Sequence, residues 1–299
     1  MTGVTELGYL GLSVSSLDRW CDYAGKIMGM EVVDEGEADR RYLRMDEFHH
    51  RIALHDDGGD DLKYLGWRVG DELELQEMAD RLDKAGVPFK EATEAEAADR
   101  RVLGYISLES PGGTPTEIYY GPEVSAGRPF HPGRPMYGPF VTGDQGVGHV
   151  IVRETDVEAA LDFYRLLGLR GGAEYRLALP DGSFASPIFM HCNDRHHSIA
   201  FGLGPMEKRV NHLMIEYANI DDLGLTHDLV RDQAIDVTLN LGKHANDQAF
   251  TFYCANPSGW VWEAGWGARR PPAQREHYRR DIFGHDIEAS GYGLDLPLR

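Results

Sequence analysis

Hydrophobic and polar positions along the chain repeat one pattern, in which an apolar strand is followed by a polar turn and an amphipathic helix. Three pairs of segments match each other in sequence and occur in the same order: 10–30 with 148–169, 49–55 (HHRIALH) with 196–202 (HHSIAFG), and 111–117 (PGGTPTE) with 257–263 (PSGWVWE). Three matches in one order indicate that the chain contains an internal duplication.

The strand-then-helix pattern also recurs inside each half. Residues 64–69 precede a helix-like run from 72 to 85, and residues 212–217 precede another that begins near Asp221. The pattern predicts four modules of one helix and several strands, near residues 5–60, 61–122, 145–205 and 208–266. Because one module has too few strands to close a core, pairs of modules should form a curved sheet around a concave centre.

The predicted fold class is therefore α+β, with two tandem domains that each contain two modules. A segment rich in Gly and Pro, residues 121–146, is the candidate linker between the halves. We place the N-terminal domain at 1–135 and the C-terminal domain at 136–299.

Composition and charge narrow the classes of partner. The chain has 42% hydrophobic and 26% charged residues, as ordinary globular proteins do. A formal net charge of −19 disfavours nucleic acid and anionic membranes as partners. We find neither a signal peptide nor the roughly 18 apolar residues of a membrane span. The three cysteines have no CxxC spacing, so we expect a soluble, cytoplasmic protein.

Metal ligands distinguish the second half of the duplication from the first. When the halves are aligned, the residues pair as follows: His149 with Gly11, His212 with about Tyr64, and Glu263 with Glu117. Two imidazoles and one carboxylate form the facial triad of non-haem Fe(II) oxygenases, which leaves adjacent coordination positions open. A lone strand histidine is more often structural, but three such residues at corresponding positions predict a metal site.

One long motif points to a known family. The signature of the type I extradiol dioxygenases is matched by residues 244–263, HANDQAFTFYCANPSGWVWE. The likeness extends over essentially the whole chain, including FHPGRP, FVTGDQG, NHLMIEY and the tail DIFGHDIEASGYGLD. The chain most resembles the dihydroxynaphthalene dioxygenases, and next the dihydroxybiphenyl dioxygenases, of the vicinal oxygen chelate superfamily. The paired βαβββ modules of that glyoxalase-like superfamily match the repeat described above.

Ten residues are candidates for the site, and the resemblance implies the roles of all but the two apolar pocket residues, Ile151 and Phe189. It implies metal ligands at His149, His212 and Glu263, which would hold one Fe(II) ion per chain in the C-terminal domain. It also implies that His197 is an acid–base residue. His244 and Tyr253 are implied to form a pair that hydrogen-bonds the substrate oxygens. The four remaining candidates, expected to support or line the substrate pocket, are Ile151, Phe189, Asn246 and Asp247.

The reaction implied by the resemblance is cleavage of a catechol ring next to its hydroxyls, with both atoms of O2 inserted, in aromatic hydrocarbon degradation. A bicyclic or biaryl catechol of the 1,2-dihydroxynaphthalene or 2,3-dihydroxybiphenyl class is the expected substrate. Spacing alone would indicate only an oxygenase with two histidines and one carboxylate. Catechol and O2 are the expected partners, and the resemblance implies a homo-oligomer.

Alternatives remain open at the level of residues and of function. His197 could be structural, because the first half also carries His49 and His50, and Tyr253 could be a strand aromatic. Glu117 and His50 are expected to be structural. The chain could also be a metal-dependent isomerase or epimerase, a metal-free drug-sequestering protein of the same fold, or a monocyclic catechol 2,3-dioxygenase. Neither of the first two explains the combination of His197, His244 and Tyr253.

Overall fold

The computed structural model describes residues 3–179, 182–293 and 298. Two large sheets, one of eight and one of nine strands, contain most of the strand residues, and a two-stranded hairpin accompanies the second sheet. Helices pack against both large sheets. The protein therefore has the predicted α+β fold.

The N-terminal sheet consists of two βαβββ modules. The first contains β1 (Glu6–Val14), α1 (Leu17–Asp22), β2 (Glu31–Val33), β3 (Arg40–Arg44) and β4 (Ile52–Asp56), and a π-helical turn (Tyr23–Ile27) continues α1. The second contains β5 (Asp61–Arg68), α2 (Glu72–Lys84), β6 (Lys90–Glu91), a short α3 (Glu94–Asp99), β7 (Gly104–Glu109) and β8 (Pro115–Tyr120). The strand order is β2-β3-β4-β1-β5-β8-β7-β6, so that the modules meet at the antiparallel pair β1 and β5.

The C-terminal sheet repeats this arrangement. Its first module contains β9 (His149–Val152), α4 (Val157–Leu166), β10 (Arg170–Tyr175), the hairpin β11 (Leu177–Ala178) and β12 (Phe184–Ala185), β13 (Ile188–His191) and β14 (Ile199–Phe201). Its second module contains β15 (Val210–Tyr217), α5 (Ile220–Asp232), β16 (Val237–Lys243), β17 (Phe250–Ala255) and β18 (Val261–Trp266), and β19 (Glu276–Tyr278) follows. The order is β16-β17-β18-β15-β9-β14-β13-β10-β19. The four predicted modules are thus confirmed.

Each of the five α-helices in the described part of the chain begins at a polar residue whose side chain accepts a hydrogen bond from a backbone N–H of the first turn. The capping residues are Ser16, Asp71, Thr93, Asp156 and Asn219. Such caps satisfy N–H groups that have no partner inside the helix, and each stabilises its helix by about 1 kcal/mol. The polar turn that separates strand from helix in the sequence pattern is therefore the start signal of each helix.

The two halves pack against each other through one apolar core. Trp20 of α1 lies beside Trp260 and Trp262, and its indole N–H donates to Oγ of Ser258 at 2.9 Å. Burying a large aromatic side chain stabilises a fold by roughly 2–3 kcal/mol. Sheet strands fall within residues 6–120 and 149–278, on either side of the predicted domain boundary at 135, which stays a prediction.

The segment rich in Gly and Pro connects the two sheets, and Arg134 anchors it to both halves. The guanidinium of this buried residue donates to the carbonyl oxygen of Ile27 at 2.9 Å and to Oγ1 of Thr226 at 2.7 Å. Residues 143–145 form a 3-10 turn just before β9. The connection is therefore packed against the protein at Arg134. Among the described residues, no helix has the length and apolar character needed to cross a membrane.

Strand register corrects one detail of the alignment between the halves. The central strands pair as follows: Leu10 lies opposite Ile52 and Leu65, and Val150 lies opposite Ile199 and Leu213. Val150 therefore corresponds to Leu10, and the residue before it, His149, corresponds to Tyr9. The predicted match of His149 with Gly11 was wrong by two residues, because a sequence comparison of short strands cannot detect a shift that keeps the same face. His212 does correspond to Tyr64, and Glu263 to Glu117.

Candidate metal centre and pocket

Two histidines and one glutamate converge on the C-terminal sheet. Nε2 of His149 and Nε2 of His212 lie 3.1 and 3.3 Å from Oε2 of Glu263. One ligand atom from each of the three residues lies within 4.8 Å of the others, and all three side chains are buried. This set could hold one metal ion.

Sheet register explains why these side chains meet. His149 in β9 and Glu263 in β18 both lie opposite Met214 of β15, one on each side of it. Residues directly opposite each other in a sheet project from the same face, and so do residues two apart in one strand. His212 is two residues from Met214, so all three ligands project from one face.

Protonation states at the cluster are those that a metal requires. Burial lowers the pKa of His149 to about 4, although Glu263 opposes this shift. Burial alone would raise the pKa of Glu263, but the neighbouring imidazoles of His149, His212 and His244 hold it well below its usual value. Metal ligands must be neutral imidazole and ionised carboxylate, so the residues present fit a divalent cation.

A neighbouring amide orients one of the ligands. Nδ1 of His212 lies 3.0 Å from Oδ1 of Asn211, whose amide nitrogen donates to the carbonyl oxygen of Gly293 at 3.0 Å. With Nδ1 carrying the proton, Nε2 presents its lone pair to the cluster. Metal-binding histidines are commonly fixed in this way through their second nitrogen.

His197 stands beside the cluster with one nitrogen unused. Its ring lies 3.8 Å from that of His149 and 4.8 Å from that of Phe189, and its Nδ1 lies 3.0 Å from Nδ1 of His196. Its Nε2 is buried and has no hydrogen-bond partner among the described residues. Burial and the neighbouring His149 hold the pKa of His197 well below 6.5. A buried nitrogen without a partner is costly, and it can be satisfied by a molecule in the cavity.

His244 and Tyr253 form a close pair on the opposite side of Glu263. Nε2 of His244 lies 2.7 Å from the Tyr253 hydroxyl and 3.3 Å from Oε1 of Glu263. Burial would lower the pKa of His244, but the adjacent Asp281 carboxylate raises it well above 6.5. Burial and Glu263 raise the pKa of Tyr253, so its hydroxyl keeps its proton.

A cavity opens over the cluster. All ten residues that the sequence singled out lie on its wall. Asn246 and Asp247 lie in the loop between β16 and β17, where the Asn246 side chain accepts from the Asp247 N–H at 2.8 Å and Asp247 from the Ala249 N–H at 2.9 Å. The part of the wall away from the ligands is mostly apolar and is formed by Ile151, Tyr175, Leu177, Pro187, Phe189, Leu203 and Leu298.

The comparisons with known proteins agree with this geometry. A sequence model described as the Glyoxalase/Bleomycin resistance protein/Dioxygenase superfamily matches residues 146–264, and one described as Dihydroxybiphenyl dioxygenase BphC D1 matches residues 7–56. Biphenyl-2,3-diol 1,2-dioxygenase of Sphingomonas paucimobilis is 65% identical over 298 residues, which covers 100% of both chains. 1,2-Dihydroxynaphthalene dioxygenase of Sphingobium xenophagum has the same identity and coverage. The chain belongs to the extradiol dioxygenases.

A solved structure extends the likeness to three dimensions. The crystal structure of a catechol 2,3-dioxygenase superposes on this dioxygenase with a TM-score of 0.99 and 68% identity, covering 100% of each chain. The vicinal oxygen chelate fold predicted from the repeat is thereby confirmed, as is the enzyme class.

Several residues of the dioxygenase pocket were missed in the sequence. Leu177, Pro187, Leu203 and Leu298 line the cavity from loops, short strands and the tail, where no periodic pattern identifies an inward side chain. Tyr175, Asp281 and His285 contact one another or His244, and the only signal for the last two was the likeness of the tail segment to the family. Glu216, four residues after His212 in β15, pairs with Arg195 at 2.9 Å.

The corresponding place in the N-terminal sheet of the dioxygenase is filled by other side chains. Tyr9 donates from its hydroxyl to Oε2 of Glu117 at 2.7 Å, and Arg100 donates from Nε to Oε1 of Glu117 at 3.0 Å. A Cβ on Gly66 would lie only 2.3 Å from the ring of Tyr9, so a glycine is required where Met214 stands in the other sheet. The ring of Tyr9 therefore occupies the concave face of the N-terminal sheet, where a ligand would otherwise have room.

Proposed function

We propose that this dioxygenase binds one ferrous ion through His149, His212 and Glu263 and cleaves a bicyclic or biaryl catechol next to its hydroxyls. The observation that carries the proposal is the convergence of two imidazoles and one carboxylate at the floor of a cavity with an apolar wall. Such a triad suits non-haem iron because it leaves three adjacent positions for two substrate oxygens and O2. Bound there, ferrous iron would supply the electron transfer between catechol and O2 and would acidify the catechol hydroxyls.

His244 and Tyr253 are proposed to bind and orient the catechol. Nε2 of His244 and the hydroxyl oxygen of Tyr253 lie 2.7 Å apart at the edge of the cluster, where the substrate oxygens would lie. The Tyr253 hydroxyl donates to one substrate oxygen, and His244 donates from Nε2. Together they fix the ring relative to the ligands before the reaction begins.

His197 is proposed to move a proton. It is neutral because of its burial and the nearby His149, and the unpartnered Nε2 can accept a proton from the substrate and return it to a departing oxygen. A positioned acid–base group of this kind contributes roughly 10²- to 10⁴-fold to the rate. Phe189, against the His197 ring, shields it from water on that side.

The apolar wall favours a substrate with a second ring. Two relatives at 65% identity are named for biphenyl-2,3-diol and 1,2-dihydroxynaphthalene, which agrees with this wall. A second candidate is a monocyclic catechol, favoured by the name of the solved structure at 68% identity. Placing the metal in a C-terminal domain (136–299), with an N-terminal scaffold domain (1–135), and assembly into a homo-oligomer belong to the same proposal.

The test is oxygen uptake by the ferrous enzyme with 2,3-dihydroxybiphenyl, with mass spectrometry of the product formed under ¹⁸O2. We expect one O2 consumed per catechol and both labelled atoms in the product. Glu263→Gln should abolish this activity and the bound iron, whereas Glu117→Gln, at the corresponding position of the N-terminal sheet, should retain both. An isomerase or epimerase would consume no O2, and loss of iron in Glu117→Gln alone would overturn the ligand assignment.

A further inference from the structure

The carboxylate of Asp281, which lies after β19, contacts the Nδ1 side of the His244 ring. Both carboxylate oxygens of Asp281 lie 3.1 Å from Nδ1 of His244. The same carboxylate accepts from Nδ1 of His285 at 2.5 Å and from the Tyr175 hydroxyl. Three donors from three separate parts of the chain thus meet on one buried carboxylate.

These contacts fix which ring nitrogens of His244 and His285 carry protons. Burial would raise the pKa of Asp281, but His244 and His285, which donate to this carboxylate, hold its pKa below the usual value, so its oxygens only accept. His244 must then carry a proton on Nδ1, and its Nε2 faces Tyr253 and Glu263. His285 likewise donates from Nδ1, and its Nε2 lies 3.0 Å from Oγ1 of Thr251.

The segment that carries Asp281 and His285 is built to approach β16 closely. A Cβ on Gly242 would lie 2.5 Å from the His285 backbone nitrogen, so only glycine at this position lets the tail lie against the strand. His285 itself has a φ of 56°, a left-handed conformation that is strained for a residue with a side chain. Such strain persists where surrounding contacts hold it, and here those contacts are Asp281 and Thr251.

We propose that Asp281 is a positioning residue that fixes the ring of His244, with His285 and Tyr175 holding the carboxylate in place. A third group that orients an acid–base histidine is a recurring device in enzymes, because the histidine otherwise rotates or adopts the other tautomer. The inference rests on the proposed role of His244 at the substrate oxygens. It assigns a function to the tail after β19, which neither the ligand pattern nor the apolar wall requires.

The test compares Asp281→Asn with Asp286→Asn, an exposed aspartate five residues further along the tail. An asparagine keeps the shape of Asp281 but presents a charge-free amide to His244 and His285. Loss of an orienting partner typically costs 10- to 100-fold in activity, so we expect kcat to fall by roughly that factor. Asp286→Asn should match the parent in kcat and iron content.

Measurements other than turnover separate positioning from a structural role. Iron per chain and the anaerobic dissociation constant of 2,3-dihydroxybiphenyl, measured on the ferrous enzyme, should stay within about threefold of the parent in Asp281→Asn. The double variant His244→Ala/Asp281→Asn should be no slower than His244→Ala, because a residue acting through His244 has nothing left to orient. Additive losses, or iron loss that accounts for the lower kcat, would overturn the inference.

The outcome for His244→Ala distinguishes a failure of the proposed role of His244 from a failure of the inference about Asp281. If His244→Ala turns over at the parent rate, the proposed role of His244 fails and the role of Asp281 with it. If His244→Ala is slow but Asp281→Asn is not, only the inference about Asp281 fails. More than one iron per chain, lost in Asp281→Asn, would instead identify the group His244, Asp281 and His285 as a second metal site.

Discussion

Arg100 donates a hydrogen bond from Nε to Oε1 of Glu117 at 3.0 Å, at the place where Glu263 meets the two histidines in the other half of the duplication. Its guanidinium also lies 4.2 Å from the centre of the Tyr64 ring, the counterpart of His212. Both halves thus keep a buried carboxylate on the concave face of the sheet. A fixed side-chain cation balances it in one half, and we propose that a metal balances it in the other.

Arg100→Ala is the first prediction. Removing one partner of a buried ion pair leaves the other charge unpaired, which typically costs about 3–5 kcal/mol. Because the Arg100 side chain is still 17% exposed, we expect a loss of about 3 kcal/mol in the free energy of unfolding at pH 7.5. Urea denaturation of the iron-loaded protein measures it. The pair variant Arg100→Met/Glu117→Gln should be less destabilised, and an equal loss in both would contradict the explanation.

The same variant gives a pH dependence with a definite sign. Burial raises the pKa of Glu117, and Arg100 opposes this, so Arg100→Ala should raise the pKa further. The folded variant then binds more protons than the unfolded chain at pH values above about 4.5, and its stability falls as the pH rises. We therefore expect the difference from the parent to be largest near neutral pH and to shrink toward pH 4.5. A difference independent of pH would exclude Glu117 as the cause.

Iron stoichiometry is the next prediction. We expect about one iron per chain after anaerobic reconstitution, measured by atomic absorption. His149→Ala and His212→Ala should each remove most of the metal and the activity. His50→Ala and Glu117→Gln, which alter the N-terminal sheet, should keep the full content. Retained iron in both ligand variants would refute the triad, and a second iron in the parent that Glu117→Gln removes would mean that the N-terminal half also binds metal.

The role of His197 can be separated from metal binding. His197→Phe should keep the iron and the anaerobic binding of the catechol, yet lower kcat roughly 10²-fold or more, because the proton-accepting Nε2 is lost. His50→Phe makes the same replacement at the corresponding position of the first half and should leave kcat unchanged. If His197→Phe turned over at the parent rate, His197 would be structural, as its counterpart is expected to be.

The strand periodicity and the duplication sufficed to predict four modules, because alternation and helix caps are local properties of the sequence. The positions of His149 and His212 could be inferred because the corresponding strands of the other half carry no histidine there, and Glu263 because the family motif at residues 244–263 ends at it. Asp281 and Leu298 could not be found in this way. Both follow β19, where the described residues lie outside the helices and strands, and Asp281 is placed by the close approach of its segment to Gly242 and by buried hydrogen bonds rather than by a sequence period.

The last prediction concerns the substrate. A bicyclic catechol such as 1,2-dihydroxynaphthalene, or the biaryl 2,3-dihydroxybiphenyl, should have a higher kcat/KM than catechol itself. Leu203 lies on the apolar wall, so Leu203→Trp should fill the space for a second ring and lower kcat/KM for the larger substrates more than for catechol. Leu103→Trp, at an exposed position of the N-terminal half, is the control and should change neither value.

The expected size of the preference follows from the apolar area that a second ring would bury. At about 25 cal/mol per Å², covering roughly 100 Å² stabilises the larger substrate by about 2.5 kcal/mol. Immobilisation and imperfect fit remove part of this gain, so a preference of only about tenfold would still agree. Oxygen-electrode kinetics on catechol, 3-methylcatechol, 2,3-dihydroxybiphenyl and 1,2-dihydroxynaphthalene, with autoxidation of the last subtracted, measure it. If catechol or 3-methylcatechol gave the highest kcat/KM, the pocket would prefer monocyclic catechols. The proposed substrate class would then be wrong, and the proposal for the metal site would be unaffected.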